Sequence, residues 1–366
     1  MTERSQPIAL ERFRQRLDSG QSPAYLLPLS WLFASGVGAR TLAYRVGFLR
    51  PVRLERPVVS VGNLTVGANG KTPLVICLAN RLSELGVRVA VVSRGYGALM
   101  RSPRPVIVSR GQGPVVEASV AGDEPILIAT KSRARVVVFP DRVRAARVAI
   151  DELDAEVILL DDGFSHRRIF RDLDLLLLDH HRPLGNGKLI PAGTLREPRR
   201  AIRRAQALIR VVSSDQPKHW PLPEPIAEMS FAPATLTDLA GRDLMPSDLE
   251  NARVLVFAAI GRPTRFLNTV RSLGAEIVAT RFLEDHSPVD AELWASARLA
   301  RAQGAKVVIT EKDRMKVSVS EASHGLESSV LVLSIALRWT FGLDRVERLI
   351  LNLLPGPRHE SVEVKI

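Results

Sequence analysis

Short apolar runs alternate along the chain with longer amphipathic stretches. The runs at 87–93, 155–160 and 173–178 are rich in Val, Ile and Leu and are too short to be typical helices, which indicates buried strands. Between them, apolar residues recur at helical spacing. Because strands that alternate with helices form parallel sheets, this pattern predicts an α/β fold.

The same pattern gives the approximate bounds of each element. The predicted strands are 56–61, 87–93, 135–139, 155–160, 173–178, 205–212, 254–258, 276–280, 306–309 and 329–334. The predicted helices are 72–85, 126–129, 142–153, 263–273, 290–303 and 342–354. The segment 98–120 is rich in Pro and Gly and is expected to be a strand-poor surface excursion. The long loop 185–198 has few apolar anchors, and such loops usually carry function.

A Pro-rich stretch divides the chain and predicts two α/β domains. We expect a nucleotide-binding domain at 51–215, built on a parallel sheet with flanking helices. A linker at 216–226 leads to a second, smaller α/β domain at 227–366 with a C-terminal helix. Residues 1–50 would form a polar tail and an amphipathic helix.

The segment 24–49 is apolar but is interrupted by Arg40 and Arg45. A helix beginning at Pro28 would present a broad apolar surface made by Leu29, Leu32, Phe33, Val37 and Tyr44. Its charge-free run is marginal for crossing a bilayer. We therefore favour insertion at a membrane surface, and the alternative is packing onto its own domain. Residues 1–23 lack an apolar core, so no cleavable signal peptide is expected.

The composition of the chain indicates which classes of molecule it can bind. The 366 residues carry a net charge of +12, which favours nucleic acid, a membrane surface or a phosphorylated substrate. The arginines are scattered, there are only 3 tyrosines, and no aromatic RNA-binding motif occurs, which argues against nucleic acid. The single cysteine, Cys77, allows no internal disulfide, and no zinc ligand set is present.

The clearest chemical signal lies between the first predicted strand and its helix. Gly70-Lys71-Thr72 resembles the end of a phosphate-binding loop, in which Lys71 reaches the β- and γ-phosphates and Thr72 binds Mg²⁺. Thr65 stands where the first glycine is usual, so the loop is a variant, and a Gly-rich turn is the alternative. The predicted nucleotide-binding residues are Gly62, Asn63, Thr65, Gly67, Ala68, Asn69, Gly70, Lys71, Thr72 and Pro73.

Two acidic segments could complete such a site. The strand at 155–160 ends in Asp161 and Asp162, the position from which phosphate-loop proteins hold Mg²⁺. Asp123 precedes Glu124 and Pro125 at a predicted helix start. Taken alone, that order favours a capping role for Asp123.

Nine short motifs between about residues 50 and 315 carry a family resemblance. They are 62–65 with 70–73, 93–97, 122–125, 161–164 with 166, 171–174, 191–193 with 195–198, 261–263, 285–286 and 310–313. In this order they resemble the tetraacyldisaccharide 4′-kinases of lipid A biosynthesis. Ala68, Ser165, Ser287 and Val289 depart from the residues usual in that family.

The resemblance implies an ATP- and Mg²⁺-dependent enzyme that phosphorylates the 4′-hydroxyl of a tetraacyldisaccharide 1-phosphate. Such an enzyme is expected at the cytoplasmic face of the inner membrane as a peripheral or monotopic protein. Its partners would be the anionic glycolipid and the membrane surface, without nucleic acid or an obligatory protein partner. A basic chain with an apolar N-terminal helix suits this acceptor.

The resemblance also implies roles for individual residues. Asp123 would be the base toward the sugar hydroxyl and His286 its partner, so that catalysis requires closure of the two domains. The implied metal residues are Thr72, Asp161, Asp162 and Glu124, although Glu124 could equally assist the base or favour the helix N-terminus. The implied substrate-binding residues are Tyr96, Arg142, His166, Arg196 and Glu197. Arg142, Arg196 and Glu197 could bind ATP instead of the substrate phosphate, and Tyr96 could contact either ligand or simply pack under its loop.

Plainer roles remain open for several of these residues. His166 could be a structural histidine, and Arg142 could be a solvated arginine on a helix face. Lys312 and Asp313 could form an ion pair in a turn, and we do not expect them in the site.

A protein of another class could share part of this pattern. A phosphate-loop switch or assembly factor that hydrolyses nucleotide and acts on a protein partner would have the same loop and Asp-Asp strand. It would not explain the acidic residues and histidine contributed by two domains, or the apolar N-terminal segment. A nucleic-acid-binding ATPase would rest on charge alone.

Overall fold

The computed structural model describes residues 13, 16–17, 21–67, 70–95, 102–212, 220–285, 287–318, 323 and 325–355. Four predicted site residues, Ala68, Asn69, Tyr96 and His286, lie outside the described residues, as do positions 216–219 of the predicted linker. The roles expected for them stay predictions.

The described strands form one large, mostly parallel sheet. They are β1 (Val58–Asn63), β2 (Val89–Ser93), β3 (Val106–Arg110), β4 (Arg135–Val138), β5 (Val157–Asp161), β6 (Leu173–Asp179), β7 (Ala207–Val211), β8 (Ala227–Asp238), β9 (Asp243–Leu244), β10 (Arg253–Ala258), β11 (Glu276–Phe282), β12 (Lys306–Thr310) and β13 (Val330–Phe341). Their order is β11-β10-β12-β13-β8-β7-β6-β1-β5-β2-β4-β3, with β9 beside β8. The antiparallel pairs in this sheet are β3–β4, β8–β9 and β8–β13.

Helices connect the parallel strands, as the alternating pattern predicts. They are α1 (Leu27–Arg45), α2 (Lys71–Glu84), α3 (Ala118–Ala121), α4 (Asp123–Lys131), α5 (Arg142–Asp151), α6 (Pro263–Ser272), α7 (Asp290–Ala302), α8 (Glu311–Arg314) and α9 (Leu343–Leu351). Asp141 caps α5 through its carboxylate, which accepts from the N–H groups of Val143 and Arg144. The predicted α/β class is confirmed.

Two expectations about strands were wrong. The segment 98–120 contains β3, whose Val108 is fully buried, because β3 pairs antiparallel with β4 at the edge of the sheet. The chain after 226 opens with the long strand β8, which the sequence did not indicate. β8 contains Pro, Thr and Glu rather than an apolar run, and its pairing with β13 along most of its length holds it in the sheet.

The phosphate-loop half, residues 51–215, and the second half, residues 227–366, are joined by backbone hydrogen bonds within this sheet. β7 pairs in parallel with β8. The core around Val59 and Leu159 also includes Val346 and Ile350 of α9, whereas Phe257 belongs to a core formed by the second half alone. The division into two domains stays a prediction.

Three parallel strands bring the chemically interesting segments to one edge. β1 lies between β5 and β6, with Val61 opposite Asp161 and Asn63 opposite Leu177. The loop after β1 and the acidic end of β5 therefore emerge side by side at the carboxyl edge, where open α/β sheets bind ligands.

Helix α1 packs through one side and exposes the other. The Ser30 hydroxyl donates to the Leu189 carbonyl at 2.9 Å and accepts from the Ala192 N–H at 2.8 Å. Val37 is buried, whereas Trp31 and Leu32 are 68% and 72% exposed. Among the described helices, none is both long and apolar enough to cross a membrane.

Candidate active site

The phosphate loop begins where β1 ends at Asn63 and closes at the start of α2. Lys71 Nζ donates to Asn63 Oδ1 at 3.1 Å and to the Gly67 carbonyl at 3.5 Å. Gly70 precedes the helix with φ +81° and provides no side-chain cap. The first N–H groups of α2, including those of Lys71 and Thr72, thus lie at a positive helix end suited to an anion.

Glycine is required at two positions, one at the end of β1 and one in this loop, for different reasons. A Cβ on Gly62 would lie 2.5 Å from Cβ of Phe164, in the turn that follows Asp161 and Asp162. A Cβ on Gly70 would lie 2.1 Å from Cζ of Phe231, at a φ that other residues rarely adopt. Gly62 therefore lets the acidic turn approach the loop, and Phe231 brings β8 of the second half against it.

The long loop 185–198 braces the first part of the phosphate loop. The Val66 N–H donates to the Thr194 carbonyl at 2.7 Å, and the Arg196 N–H donates to the Leu64 carbonyl at 2.8 Å. Thr65, the residue at the unusual position, is buried and pairs with Leu195 in a short bridge. A neighbouring segment thus supports this variant loop.

Asp162 is the anionic centre of a small cluster. Its Oδ2 accepts from Arg196 Nη1 at 2.6 Å, and its Oδ1 lies 3.5 Å from Lys71 Nζ. Burial pushes the pKa of Asp162 up, but Lys71 and Arg196 outweigh it and hold the pKa below its usual value. Asp162 is therefore ionised and links the phosphate loop to the loop that carries Arg196.

Asp161 has a different environment, although it is the neighbouring residue. It is almost fully buried, and Oδ1 has no hydrogen-bond partner among the residues that the structure describes. Burial and the nearby Glu124 and Asp162 carboxylates raise its pKa to about 7, against the opposing effect of Lys71. A buried carboxylate oxygen without a donor, beside further carboxylates, is suited to a divalent cation.

Arg142 and His166 lie behind this acidic turn. Arg142 is buried, and its Nη2 donates to the carbonyls of Asp161 and Asp162 at 3.5 and 3.4 Å. It is therefore not the solvated helix-face arginine of the plainer alternative. Burial, followed by Arg142 and Arg171, lowers the pKa of His166 to about 4, so this imidazole is neutral at pH 7.

Helix α4 places the second acidic segment. Asp123 is its first residue and is 4% exposed, while Gly122 occupies the capping position and no side-chain cap is formed. The capping interpretation of Asp123 is therefore wrong. Its carboxylate turns instead toward two lysines of the second half, with Oδ2 at 3.6 Å from Lys312 Nζ and 3.7 Å from Lys316 Nζ.

Lys312 belongs to the site, contrary to the expectation that it forms an ion pair with Asp313 in a turn. Its Nζ lies 3.1 Å from Glu124 Oε1 and 3.2 Å from Asp285 Oδ1, as well as near Asp123. Burial alone would lower the pKa of Lys312, but these carboxylates outweigh it and raise the pKa above its usual value. The ammonium therefore joins the acidic start of α4 to the second half.

Asp313 is buried in α8 and holds this helix in place. Its Oδ2 accepts from the Thr310 hydroxyl at 2.7 Å, and its Oδ1 accepts from the Ala259 N–H at 3.1 Å. These bonds anchor the short helix α8, which presents Lys312. Nothing in the spacing along the chain indicated that α8 would reach α4, because Lys312 and Glu124 are 188 positions apart in sequence.

Glu197 pairs with arginines that are not among the predicted site residues. It is fully buried, with Oε2 3.0 Å from Arg204 Nη2 and Oε1 3.8 Å from Arg40 Nη2. Arg40 belongs to α1, so Glu197 helps to attach the N-terminal helix. A substrate contact for Glu197 stays a prediction.

Three comparisons with known proteins agree with one another. A model of the family Tetraacyldisaccharide-1-P 4′-kinase matches residues 23–354. A curated tetraacyldisaccharide 4′-kinase of Syntrophotalea carbinolica is 39% identical over 302 residues, which cover 81% of this chain and 83% of that protein. One of Syntrophus aciditrophicus is 40% identical over 343 residues, which cover 87% of this chain and 90% of the relative.

A solved structure is similar over nearly the same extent. LpxK from Aquifex aeolicus in complex with ATP superposes with a TM-score of 0.74 at 30% sequence identity. The match covers 90% of this chain and 98% of that one.

Proposed function

The chain belongs to the tetraacyldisaccharide-1-P 4′-kinase family, and from this premise we propose its reaction and the residues that perform it. It transfers the γ-phosphate of ATP to the 4′-hydroxyl of a tetraacyldisaccharide 1-phosphate, a step of lipid A biosynthesis. The observation that carries this proposal is the meeting of a phosphate loop with two acidic segments, Asp161-Asp162 and Asp123-Glu124, at one edge of the sheet.

The phosphate loop is the binding site for ATP in this proposal. The relative from Aquifex aeolicus was solved in complex with ATP, and its fold matches this chain. Lys71 is held beside Asn63 and Gly67 and supplies positive charge to the β- and γ-phosphates. The N–H groups at the start of α2 bind further phosphate oxygens.

The acidic turn after β5 is suited to Mg²⁺. Asp161 supplies the carboxylate oxygen that lacks a donor, and Asp162, Thr72 and Glu124 complete the candidate ligands. Within the described residues, no three acidic, His or Cys side chains form a closed metal cluster. Mg²⁺ commonly takes only one or two carboxylates and completes its shell with phosphate oxygens and water. When bound, the metal neutralises the charge that develops on the transferred phosphoryl group.

Asp123 acts on the acceptor. Its buried carboxylate accepts the proton of the attacking 4′-hydroxyl as the bond to phosphorus forms. Lys312 and Lys316 lie within 3.7 Å of Oδ2 and balance the negative charge of this segment. His286 as the partner of Asp123 remains part of the proposal, and it rests on the family resemblance.

The exposed side of α1 positions the enzyme at its lipid substrate. Tyr25, Leu29, Trp31, Leu32, Leu42, Val46 and Phe48 are all exposed on α1 and its flanks. Such an apolar surface on a chain with a net charge of +12 suits the anionic cytoplasmic face of the inner membrane and an anionic glycolipid.

The proposal is tested by transfer of ³²P from γ-labelled ATP to purified tetraacyldisaccharide 1-phosphate. We expect a labelled lipid with the wild-type protein, and at least about a 100-fold loss with Lys71→Ala or Asp123→Asn, a scale set by single groups that stabilise a transition state. Lys131→Ala is the matched control, because Lys131 pairs with Glu311 at the surface.

Label that appears only as free phosphate, without transfer to the lipid, would refute the kinase. It would favour a nucleotide-hydrolysing switch. Full transfer by Asp123→Asn would refute the role of Asp123 as the base, even if the kinase reaction itself stands.

A further inference from the structure

Arg262 reaches the phosphate loop from the second half of the chain. It immediately precedes α6, and its guanidinium lies directly over Gly67. A Cβ built on Gly67 would lie 3.2 Å from both Nε and Nη2 of Arg262, and Gly67 has φ +124°. A glycine is therefore needed here both for its backbone conformation and for the approach of this arginine.

A carboxylate at the end of β6 orients this arginine. Arg262 Nη1 lies 3.9 Å from Asp179 Oδ2, and Arg265 Nη2 bonds the same oxygen. Burial raises the pKa of Asp179, but Arg265 and Arg262 outweigh it and hold the pKa below its usual value. Asp179 is thus an ionised tether that keeps two guanidinium groups at the carboxyl edge of the sheet.

Two cations lie close to Gly67. Lys71 Nζ is 3.5 Å from the Gly67 carbonyl oxygen, and the Arg262 guanidinium lies 3.2 Å from where a Cβ of Gly67 would stand. Lys71 belongs to α2, whereas Arg262 belongs to the second half. A phosphate chain lying along the loop would therefore have a positive charge from each half within reach.

We propose that Arg262 binds the terminal phosphates of the nucleotide together with Lys71, and so couples the second half of the chain to nucleotide binding. The inference rests on the proposed ATP-dependent function and adds a residue to it. Arginine suits the role, because its planar guanidinium can donate two parallel hydrogen bonds to phosphate oxygens. Its contribution should increase with the number of phosphates.

The test is equilibrium binding by calorimetry, with AMP, ADP and a non-hydrolysable ATP analogue. For Arg262→Ala we expect a loss of affinity of about 10- to 100-fold for the ATP analogue, the scale of one hydrogen bond between charged groups. The loss should be smaller for ADP and absent for AMP. The affinity of Arg262→Lys for the ATP analogue should lie between those of Arg262→Ala and the wild type, since lysine keeps the charge but cannot donate two parallel hydrogen bonds.

Arg281→Ala is the control, because Arg281 is an exposed arginine of the same half that pairs with Glu292. Binding of the ATP analogue by Arg262→Ala within about twofold of wild type would overturn the proposal. An equal loss for all three nucleotides would also overturn it, since Arg262 would then only brace the loop. If the alanine variant does not fold, Arg262→Lys and Arg262→Gln carry the same comparison.

Failure of this inference can be distinguished from failure of the proposed function. If Arg262→Ala binds the ATP analogue more weakly than the wild type does, but the wild type transfers no phosphate to the glycolipid, the kinase reaction fails and the role of Arg262 stands. If the wild type transfers phosphate and Arg262→Ala binds every nucleotide normally, only the role of Arg262 fails.

Discussion

Replacing Lys312 with Met tests how the two halves cooperate at the site. Methionine has a similar length and apolar stem but lacks the charge. The substitution removes an ammonium that lies 3.1 Å from Glu124 Oε1, 3.2 Å from Asp285 Oδ1 and 3.6 Å from Asp123 Oδ2. Three carboxylates from the two halves would then face one another without this cation.

The loss in free energy of unfolding caused by Lys312→Met can be bounded from the burial of the charged groups around it. Removing one partner of a fully buried ion pair costs about 3–5 kcal/mol. The Glu124 and Asp285 side chains are 34% and 32% exposed, so water screens part of their repulsion. Lys316 lies 3.7 Å from Asp123 Oδ2 and replaces part of the lost charge. We therefore expect Lys312→Met to lower the free energy of unfolding by about 1–3 kcal/mol.

Urea unfolding and steady-state kinetics measure the two consequences. Because Lys312 contacts Asp123 and Glu124, we expect kcat to fall by at least about tenfold, while KM for ATP changes by less than about threefold. Lys131→Met is the control, since it removes a partly exposed ion pair to the same short helix and should cost less than about 1 kcal/mol. Wild-type kcat together with wild-type stability in Lys312→Met would refute this account of the site.

Three further predictions follow from particular residues. Gly62→Ala should destabilise the protein by about 1–3 kcal/mol in urea unfolding and weaken Mg²⁺-dependent activity, because its Cβ would lie 2.5 Å from Cβ of Phe164 in the acidic turn. Gly36→Ala is the control, and because Gly36 has open space around it, this substitution should be neutral or stabilising. Burial raises the pKa of Asp161 to about 7, so its contribution to stability is present at low pH and is lost as the pH rises through that value. Mg²⁺ competes with this proton and should therefore raise the melting temperature more at about pH 8 than at about pH 6; an equal rise at both would contradict the assignment. The double variant in which Trp31 and Leu32 are both replaced by Ser should sediment less with anionic vesicles. Because both side chains are exposed, its melting temperature should change by no more than a few degrees. Unchanged sedimentation would exclude this side of α1 as the membrane contact.

The sequence by itself indicated the features that are encoded within short windows. The apolar runs predicted most of the strands, and the strand, small-residue loop and Lys-Thr helix start predicted the phosphate loop at 62–73. Asp161 and Asp162 were expected to complete the site because phosphate-loop proteins hold Mg²⁺ from the acidic end of such a strand. Lys71 indeed lies 3.5 Å from Asp162. Backbone hydrogen bonding and side-chain periodicity act over a few residues, so they can be read along the chain.

Tertiary structure alone decided which distant segments complete the site. Lys312 meets Glu124 across 188 positions of sequence, and β8 is held in the sheet by its pairing with β13 and β7. The contact of Arg262 with Gly67 and the burial of Asp123 likewise depend on how the second half joins the sheet. Local propensity carries no information about such encounters, because they follow from strand order and from the paths of the connecting loops. The phosphate loop and its acidic neighbours could thus be predicted from the sequence, whereas the approach of Lys312 and Arg262 from the second half became visible only in the folded chain.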